Sequence, residues 1–533
     1  MNLLGATGGW LAHLLERYAD HLRTASAKRR WLYAFGAGIC GALAMAPVYA
    51  LPLLVVAFTT LVLLIDGAKA TQSPRRSAFI TGWFFGFGYF LAGVYWMAFS
   101  FFVQADQFAW MAPFAVMGMP AFLGLFIGAA TALYAAIRAG GWARIFLFAT
   151  IWTVFEYARG HVLTGLPWNL AGQALAGNAL TAQTAAWYGA YGLSLVTVFL
   201  AVSPAAIFAG SISARLSGVF VLLAGAALIV GAGAVRLAMP EPISDARVVL
   251  RIVQPNIPQK EKIDWSYWQR NFERQLDLSR GAIPPDARLF VLWPENGAPL
   301  LEESQQALET LDSDLPSDAV LLAGAVRRER DSGGVERYYN SIAVVEDSGN
   351  GRIVTGHYDK HHLVPYGEYL PFYDSMQKLG LAQLTPYGDA GFTPGSGPRT
   401  LTAGGQSFAP MVCYEAIFPG ESYPSDARPD WLAMVTNDAW FGDTSGPRQH
   451  LDMARLRAIE AGLPLARSAN TGISALFDGK GRLLARVPLY KAGKIEAPLP
   501  PPLTKTLYDR NGDWVFLLMI ITCTLFGFYL RNE

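Results

Sequence analysis

Apolar positions follow two regimes along the chain. From Trp31 to Leu237, long apolar runs succeed one another with short polar breaks, at 31–48, 51–65, 78–102, 110–137, 144–160, 185–209 and 216–237. A further run extends from Trp514 to Leu530. About 20 apolar residues cross a bilayer core as a helix, so these runs predict eight membrane helices, of which the first, second and fifth are short. Between 246 and 500 the runs shrink to strand length: Val248–Val253, Leu289–Trp293, Val320–Gly324, Asn340–Val345, Met411–Cys413, Trp431–Thr436, Leu465–Ser468 and Ile473–Phe477. Amphipathic helical segments at Trp265–Arg280 and His450–Ala461 lie among them. Buried strands mixed with helices predict a layered α/β domain. A stiff Pro498-Leu499-Pro500-Pro501-Pro502 linker leads from it to the last helix. The expected order is a basic tail over 1–30, seven helices within 31–240, the α/β domain over 246–500 and an eighth helix over 512–530.

Composition agrees. Of 533 residues 52% are hydrophobic and 16% charged, which is a membrane-protein balance. The net charge of +1 leaves no basic surplus for a nucleic-acid partner. Charge distribution sets orientation. With a cytoplasmic amino terminus, the inner segments carry Arg17, Arg23, Lys28, Arg29, Arg30, Lys69, Arg75, Arg76, Arg138, Arg144, Arg215 and Arg531, against Arg159 and Arg236 outside. Seven helices then place the α/β domain on the outer side. The first 30 residues lack the apolar core of a cleavable signal and read as a basic cytoplasmic tail with a short interfacial helix around Leu11–Leu22. In the fifth span Glu156 is a functional candidate by its position in the bilayer, although a hydrated place near the outer interface is the preferred expectation. Trp168, in Gly165-Leu166-Pro167-Trp168-Asn169, suits the headgroup zone.

Chemistry concentrates at two strand ends and in one loop rich in turn residues. Ala409-Pro410-Met411-Val412-Cys413-Tyr414-Glu415 is an apolar strand that ends on a thiol. A cysteine there is a candidate nucleophile once a base stands near it, and otherwise a small buried apolar residue. Leu292-Trp293-Pro294-Glu295 ends a second strand on a carboxylate suited to be that base. Lys360, in Tyr358-Asp359-Lys360-His361-His362, offers an ammonium for a developing oxyanion, with Glu368 to hold it. The amide N–H of Tyr414 is a second oxyanion donor by its place next to Cys413. The three cysteines Cys40, Cys413 and Cys523 make no disulfide framework, and the absence of CxxC and HExxH spacings leaves no metal or cofactor site expected.

Six ordered motifs carry a resemblance: Val253 to Gln259, Trp293-Pro294-Glu295, Tyr358 to Pro371, Cys413-Tyr414-Glu415, Asn437 to Gly442 and Arg467 to Ser474. The set resembles the nitrilase superfamily, and with its membrane helices the chain resembles the apolipoprotein N-acyltransferase family of bacterial lipoprotein maturation. The resemblance implies an α-β-β-α sandwich and a triad of Glu295 as base, Lys360 as oxyanion stabiliser and Cys413 as nucleophile. It also implies Glu368 as a second essential glutamate, with Tyr414, Glu415 and Trp265 shaping the pocket. The implied reaction moves an acyl chain from a phospholipid, of the phosphatidylethanolamine type, through a cysteine thioester to the α-amine of a diacylated apolipoprotein. The implied location is the bacterial inner membrane, with the catalytic domain periplasmic, both termini cytoplasmic and no cofactor. Residues 372–400 lack strand character, and their apolar Phe372, Met376, Leu379, Leu381 and Leu384 lie among glycines. That pattern predicts a mobile lid dipping into the outer leaflet.

Overall fold

A computed structural model of the chain describes residues 3–208, 212–243, 247–330, 332–373, 378 and 391–532. The chain divides into two compact units, Met1–Leu237 with Asn511–Glu533, and Ala238–Arg510.

The first unit is helical. Among the described residues, six helical stretches are long and apolar enough to cross a membrane: Leu51–Lys69, Pro74–Phe102, Ala105–Ala136, Ala185–Phe208, Leu216–Ala238 and Trp514–Arg531. Two stretches read as spans from sequence are not among them. Ala27–Ala42 has 16 residues and opens with Lys28, Arg29 and Arg30; Gly141–His161 carries Arg144, Glu156 and Arg159. The amino-terminal segment forms one helix, Leu3–Arg23, longer than the interfacial helix expected.

Two expectations for this unit are corrected. Glu156 is not hydrated: it is 1% exposed and accepts from Trp152 Nε1 at 3.0 Å and from the Ala171 amide at 2.9 Å. Trp168 is no headgroup anchor either, because it is buried against Trp96 with ring centroids 4.6 Å apart. One turn on from Glu156, Arg159 donates to the carbonyls of Leu166 and, at 2.8 Å, of Trp168. The pair thus satisfies backbone groups of a buried irregular loop, the condition for non-helical chain within a bundle.

The second unit is a sandwich of two six-stranded sheets. The strands are β1 Val248–Gln254, β2 Arg288–Trp293, β3 Val320–Arg330, β4 Glu336–Asp347, β5 Arg352–Asp359, β6 Leu401–Ala403, β7 Gln406–Val412, β8 Trp431–Thr436, β9 Leu465–Ala469, β10 Ser474–Phe477, β11 Leu483–Val487 and β12 Gly493–Pro498. One sheet has the order β12-β1-β2-β3-β4-β5 and the other β11-β10-β9-β8-β7-β6. Alternation sorts the side chains into layers. Leu250, Ile252, Phe290, Leu292, Leu322 and Ile342 of one sheet meet Phe408, Val412, Trp431, Ala433 and Val435 of the other. Odd-numbered neighbours such as Val249, Leu289, Val291 and Leu321 face Phe272, Leu276, Leu308 and Leu311, which belong to helices Trp268–Ser279 and Gln305–Asp314. Met411, Leu432 and Met434 face Leu451, Ala454 and Ala458 of helix Gly446–Ala461. Helix, sheet, sheet and helix therefore stack around three apolar layers.

That topology fixes where the strand ends go. β2 and β3 are parallel, and β4 is antiparallel to both β3 and β5, so β2 and β5 run the same way. Their carboxyl ends emerge at one edge of the first sheet. Glu295 follows one of them and Lys360 the other.

Candidate active site

Lys360 is the centre of a buried charge cluster. It is 1% exposed, and its Nζ lies 2.8 and 2.9 Å from the two oxygens of Glu368 and 3.7 Å from Glu295 Oε1. Buried charges persist when they are paired and their remaining bonds are satisfied. Here Asn340, on β4, supplies the missing bonds: its one amide group donates to Glu295 Oε1 and to Glu368 Oε1, each at 2.7 Å. The main-chain carbonyl of Asn340 also accepts from the Lys360 backbone amide at 2.8 Å. The second Glu368 oxygen accepts from the Val364 amide at 2.7 Å. Every member is held from two sides.

Cys413 directly follows β7 in a left-handed backbone conformation, φ 50°, and opens a short 3-10 turn over Cys413–Ile417. A non-glycine residue held there is strained, and such strain is found where a side chain must be aimed. Glu415 ties the turn down. One of its oxygens accepts from the Val412 amide at 2.7 Å, and the other from Tyr358 Oη at 2.7 Å and the His361 amide at 2.8 Å. The nucleophile turn and the lysine segment are thereby stitched together through one carboxylate. From behind, His450 Nε2 lies 3.0 Å from the Cys413 carbonyl; its ring is set by Asp438, which Arg467 also grips.

Electrostatics fixes the resting state. Burial pushes the Cys413 thiol well up from its ordinary value, the charge of Glu295 adds to this, and Lys360 only partly opposes it. The resting group is a thiol. Lys360 is held firmly charged: the Glu368 and Glu295 carboxylates more than offset its burial. A second lysine, Lys262, donates to the Glu295 carbonyl; burial lowers its ammonium to about 8, with Glu295 and Cys413 acting the other way. Two glutamates and two lysines then balance around a neutral thiol.

The other expected residues fall out differently. Tyr414 is partly buried with its ring edge-on to Phe418, and Glu415 is 3% exposed in the clamp described above. Trp265 is 61% exposed and stacks on Trp268, outside the buried cluster. Phe372 is 73% exposed; Met376, Leu379, Leu381 and Leu384 lie outside the described residues. Asn340, Lys262 and His450 were not singled out by sequence reasoning, whereas Asp438 lay within the Asn437 to Gly442 motif. Of the three, Asn340 alone gave a readable signal, since it opens the predicted strand Asn340–Val345. Among the described residues, His361, His362 and Glu421 form the one group with metal-type donors close together, within 4.8 Å. Their charges are met internally: His361 Nδ1 lies 2.6 Å from Glu415, and His362 Nδ1 3.0 Å from Glu421.

A buried acid, an ammonium and a thiol at the mouth of a two-sheet sandwich define a class, and comparison with known proteins gives the same class. Residues 250–507 match the carbon-nitrogen hydrolase family model, and residues 37–203 match that of the apolipoprotein N-acyltransferase N-terminal domain. An apolipoprotein N-acyltransferase of Rhodopseudomonas palustris is 38% identical over 94% of this chain and 95% of its own. One of Bradyrhizobium diazoefficiens is 41% identical over 91% of this chain and 92% of its own. The chain belongs to the apolipoprotein N-acyltransferase family. A solved amidase from Nesterenkonia sp. is similar over 48% of this chain and 92% of its own at 20% identity, with a TM-score of 0.33, too weak a likeness to add to the fold.

Proposed function

We propose that the protein transfers an acyl chain from a phospholipid of the phosphatidylethanolamine type to the α-amine of the diacylglyceryl-cysteine of apolipoproteins, through a thioester on Cys413. The buried Glu295–Lys360–Glu368 cluster beside a strained cysteine carries this reading. Because the thiol rests protonated, Glu295 takes its proton as sulfur attacks the ester carbonyl. Lys360, kept charged by Glu368, stabilises the oxyanion, which collapses to the thioester as the lysophospholipid alkoxide leaves with the proton from Glu295. The lipoprotein amine then attacks the thioester, and Glu295 accepts the proton it sheds as the thiol is restored. Trp265 and Tyr414 line the approach. The exposure of Phe372 suits a lid over 372–400, shielding the thioester from water.

The membrane arrangement belongs to the same proposal. Helices Ala27–Ala42 and Gly141–His161 join the six apolar ones to make eight crossings. The latter has 21 residues, about 31 Å at 1.5 Å per residue, long enough to span. Seven crossings within 31–240 and one over 512–530 then put the 246–500 domain on the periplasmic side of the inner membrane and both termini in the cytoplasm, in keeping with the bias of basic residues.

Intact-mass analysis of the full-length protein exposed to phospholipid without amine acceptor tests the chemistry. One acyl group should appear on wild type, leave with neutral hydroxylamine, and be absent from Cys413→Ala. An adduct that resists hydroxylamine, or maps to another residue, defeats the mechanism.

A further inference from the structure

The membrane unit sorts its basic residues into two groups. Arg30 and Arg144 have partners inside the bundle: Arg30 donates to Ser77 Oγ at 2.8 Å and the Ala25 carbonyl at 3.0 Å, and Arg144 to Asp66 at 2.9 Å. Arg23 lies 3.8 Å from the same Asp66 carboxylate. Lys69, Arg75, Arg76, Arg138 and Arg531 behave differently. They line a single cavity of about 760 Å³, with no Asp or Glu in its wall. Four helix ends meet there: Lys69 ends Leu51–Lys69, Arg75 and Arg76 open Pro74–Val94, Arg138 follows Ala112–Ala136, and Arg531 lies in the last turn of Trp514–Asn532. Among the described residues, none of the five has a carboxylate within ion-pair distance; Arg75, Arg76, Arg138 and Arg531 are exposed, and Lys69 lies 4.2 Å from the centre of the Tyr134 ring.

Cations at helix carboxyl ends are favoured by the helix dipole, which accounts for Lys69 and Arg531. The same dipole disfavours Arg75 and Arg76, which stand in the first turn of a helix whose cap residue Ser73 makes no side-chain bond. Five like charges around one cavity, two of them against a dipole, are in balance when an anion sits among them. A helix amino terminus with guanidinium forks beside it is a phosphate site by its chemistry. On the same helices, within two turns of the cavity, Leu133, Leu525 and Phe528 are exposed apolar residues, an apolar surface that an inorganic anion has no need of.

We propose that this cavity holds the phosphodiester of an anionic phospholipid as a resident lipid, separate from the acyl donor. A zwitterionic ethanolamine headgroup is a poor occupant because the wall offers its ammonium no carboxylate. The proposal rests only on the bundle crossing a membrane, and it stands or falls independently of the thioester chemistry. Native mass spectrometry of the full-length protein in mixed phosphatidylglycerol and phosphatidylethanolamine nanodiscs tests it. Phosphatidylglycerol should be retained selectively. Retention should fall about fivefold for each of Arg75→Gln, Arg76→Gln and Arg138→Gln, and about a hundredfold for the three together. Lysine at the same positions should keep most of it, and acyl transfer in detergent should be unchanged. Single variants give the same reading if the triple one does not fold. Equal retention by wild type and the Gln variants overturns the site. So does a preference for phosphatidylethanolamine. Thermal stabilisation by inorganic phosphate equal to that by phosphatidylglycerol overturns the lipid as occupant.

Discussion

Both units bury a carboxylate beside a basic side chain, and they use the pair for different ends. In the bundle, Glu156 and Arg159 grip a loop backbone, through the Ala171 amide on one side and the carbonyls of Leu166 and Trp168 on the other, with the Trp152 indole N–H also donating to Glu156. Their charge holds a loop in place. In the sandwich, Glu295, Lys360 and Glu368 bond chiefly to one another through side chains, and the cluster adjoins a thiol. Burial is common to both and does not mark the reactive group. What marks it is whether the charges answer fixed backbone or a group that can change its bonding.

The largest expected effect separates the two directly. Glu295→Gln should slow thioester formation by about 10²- to 10⁴-fold with the fold intact, the usual loss for a positioned base. Glu156→Gln keeps an acceptor for the Ala171 amide and should leave thioester formation per folded molecule unchanged. Glu156→Leu orphans that amide at about 1–3 kcal/mol, seen as a lower melting temperature. If Glu156→Gln abolishes thioester formation in well-folded protein, the contrast between the two clusters collapses.

Next in size is Asn340, which holds both carboxylates with one amide. Bonds to charged groups are worth about 1.5–3 kcal/mol each. Asn340→Leu should therefore slow acylation roughly 10- to 100-fold in folded protein, while Asn340→Asp, which cannot donate to either carboxylate, should be no better. Acylation at the wild-type rate by folded Asn340→Leu would make Asn340 part of the scaffold only.

Which parts of this were legible in sequence follows from burial. β2 and β7 are apolar runs that stop on Pro294-Glu295 and Cys413, so their strand ends were readable. β5 was not, because its residues alternate irregularly between buried and half-exposed and Gly356 interrupts it; Lys360 therefore read as part of a loop, although it directly follows a strand. β12 pairs antiparallel with β1 across more than two hundred residues, and only Ile495 and the strand's pairing give it away. Helix Gly446–Ala461 reads as amphipathic, yet its polar residues are buried too, with Arg457 paired to Glu460 at 2.7 Å and His450 turned on Cys413. A polar residue that is buried because it has partners looks in sequence like one that faces water. Asn340, Lys262 and His450 were missed for that reason.

A smaller effect sharpens the picture of the resting thiol. Because burial and Glu295 hold the Cys413 thiol above its ordinary value, alkylation of the free enzyme by iodoacetamide should keep rising with pH beyond the region where a free cysteine, near pH 8.5, levels off. Mass spectrometry of the modified protein gives the rate. A plateau already present at pH 7 would mean a preformed thiolate, and with it a Lys360 that activates the sulfur rather than waiting for the oxyanion.

The smallest effect concerns His361, on the clamp that joins the lysine segment to the cysteine turn. Burial works against its charge, but the bonds to Glu415 and Glu421 outweigh it and raise the imidazole to about 9. A group raised on folding contributes stability that is full below its ordinary value of 6.5 and is lost as pH climbs through the folded one. Glu415 is shifted the other way, so its share is lost only in acid and leaves this window to the histidine. The ring is 14% exposed, which screens the pair and keeps the gain modest. His361→Gln should melt roughly 2–4 °C below wild type near pH 6, with the gap closing as pH passes 9. The gap should close because wild type loses stability, while the variant stays flat. A gap that persists unchanged at high pH would show that the His361 side chain holds the clamp by its shape and its neutral hydrogen bonds, with no contribution from its charge.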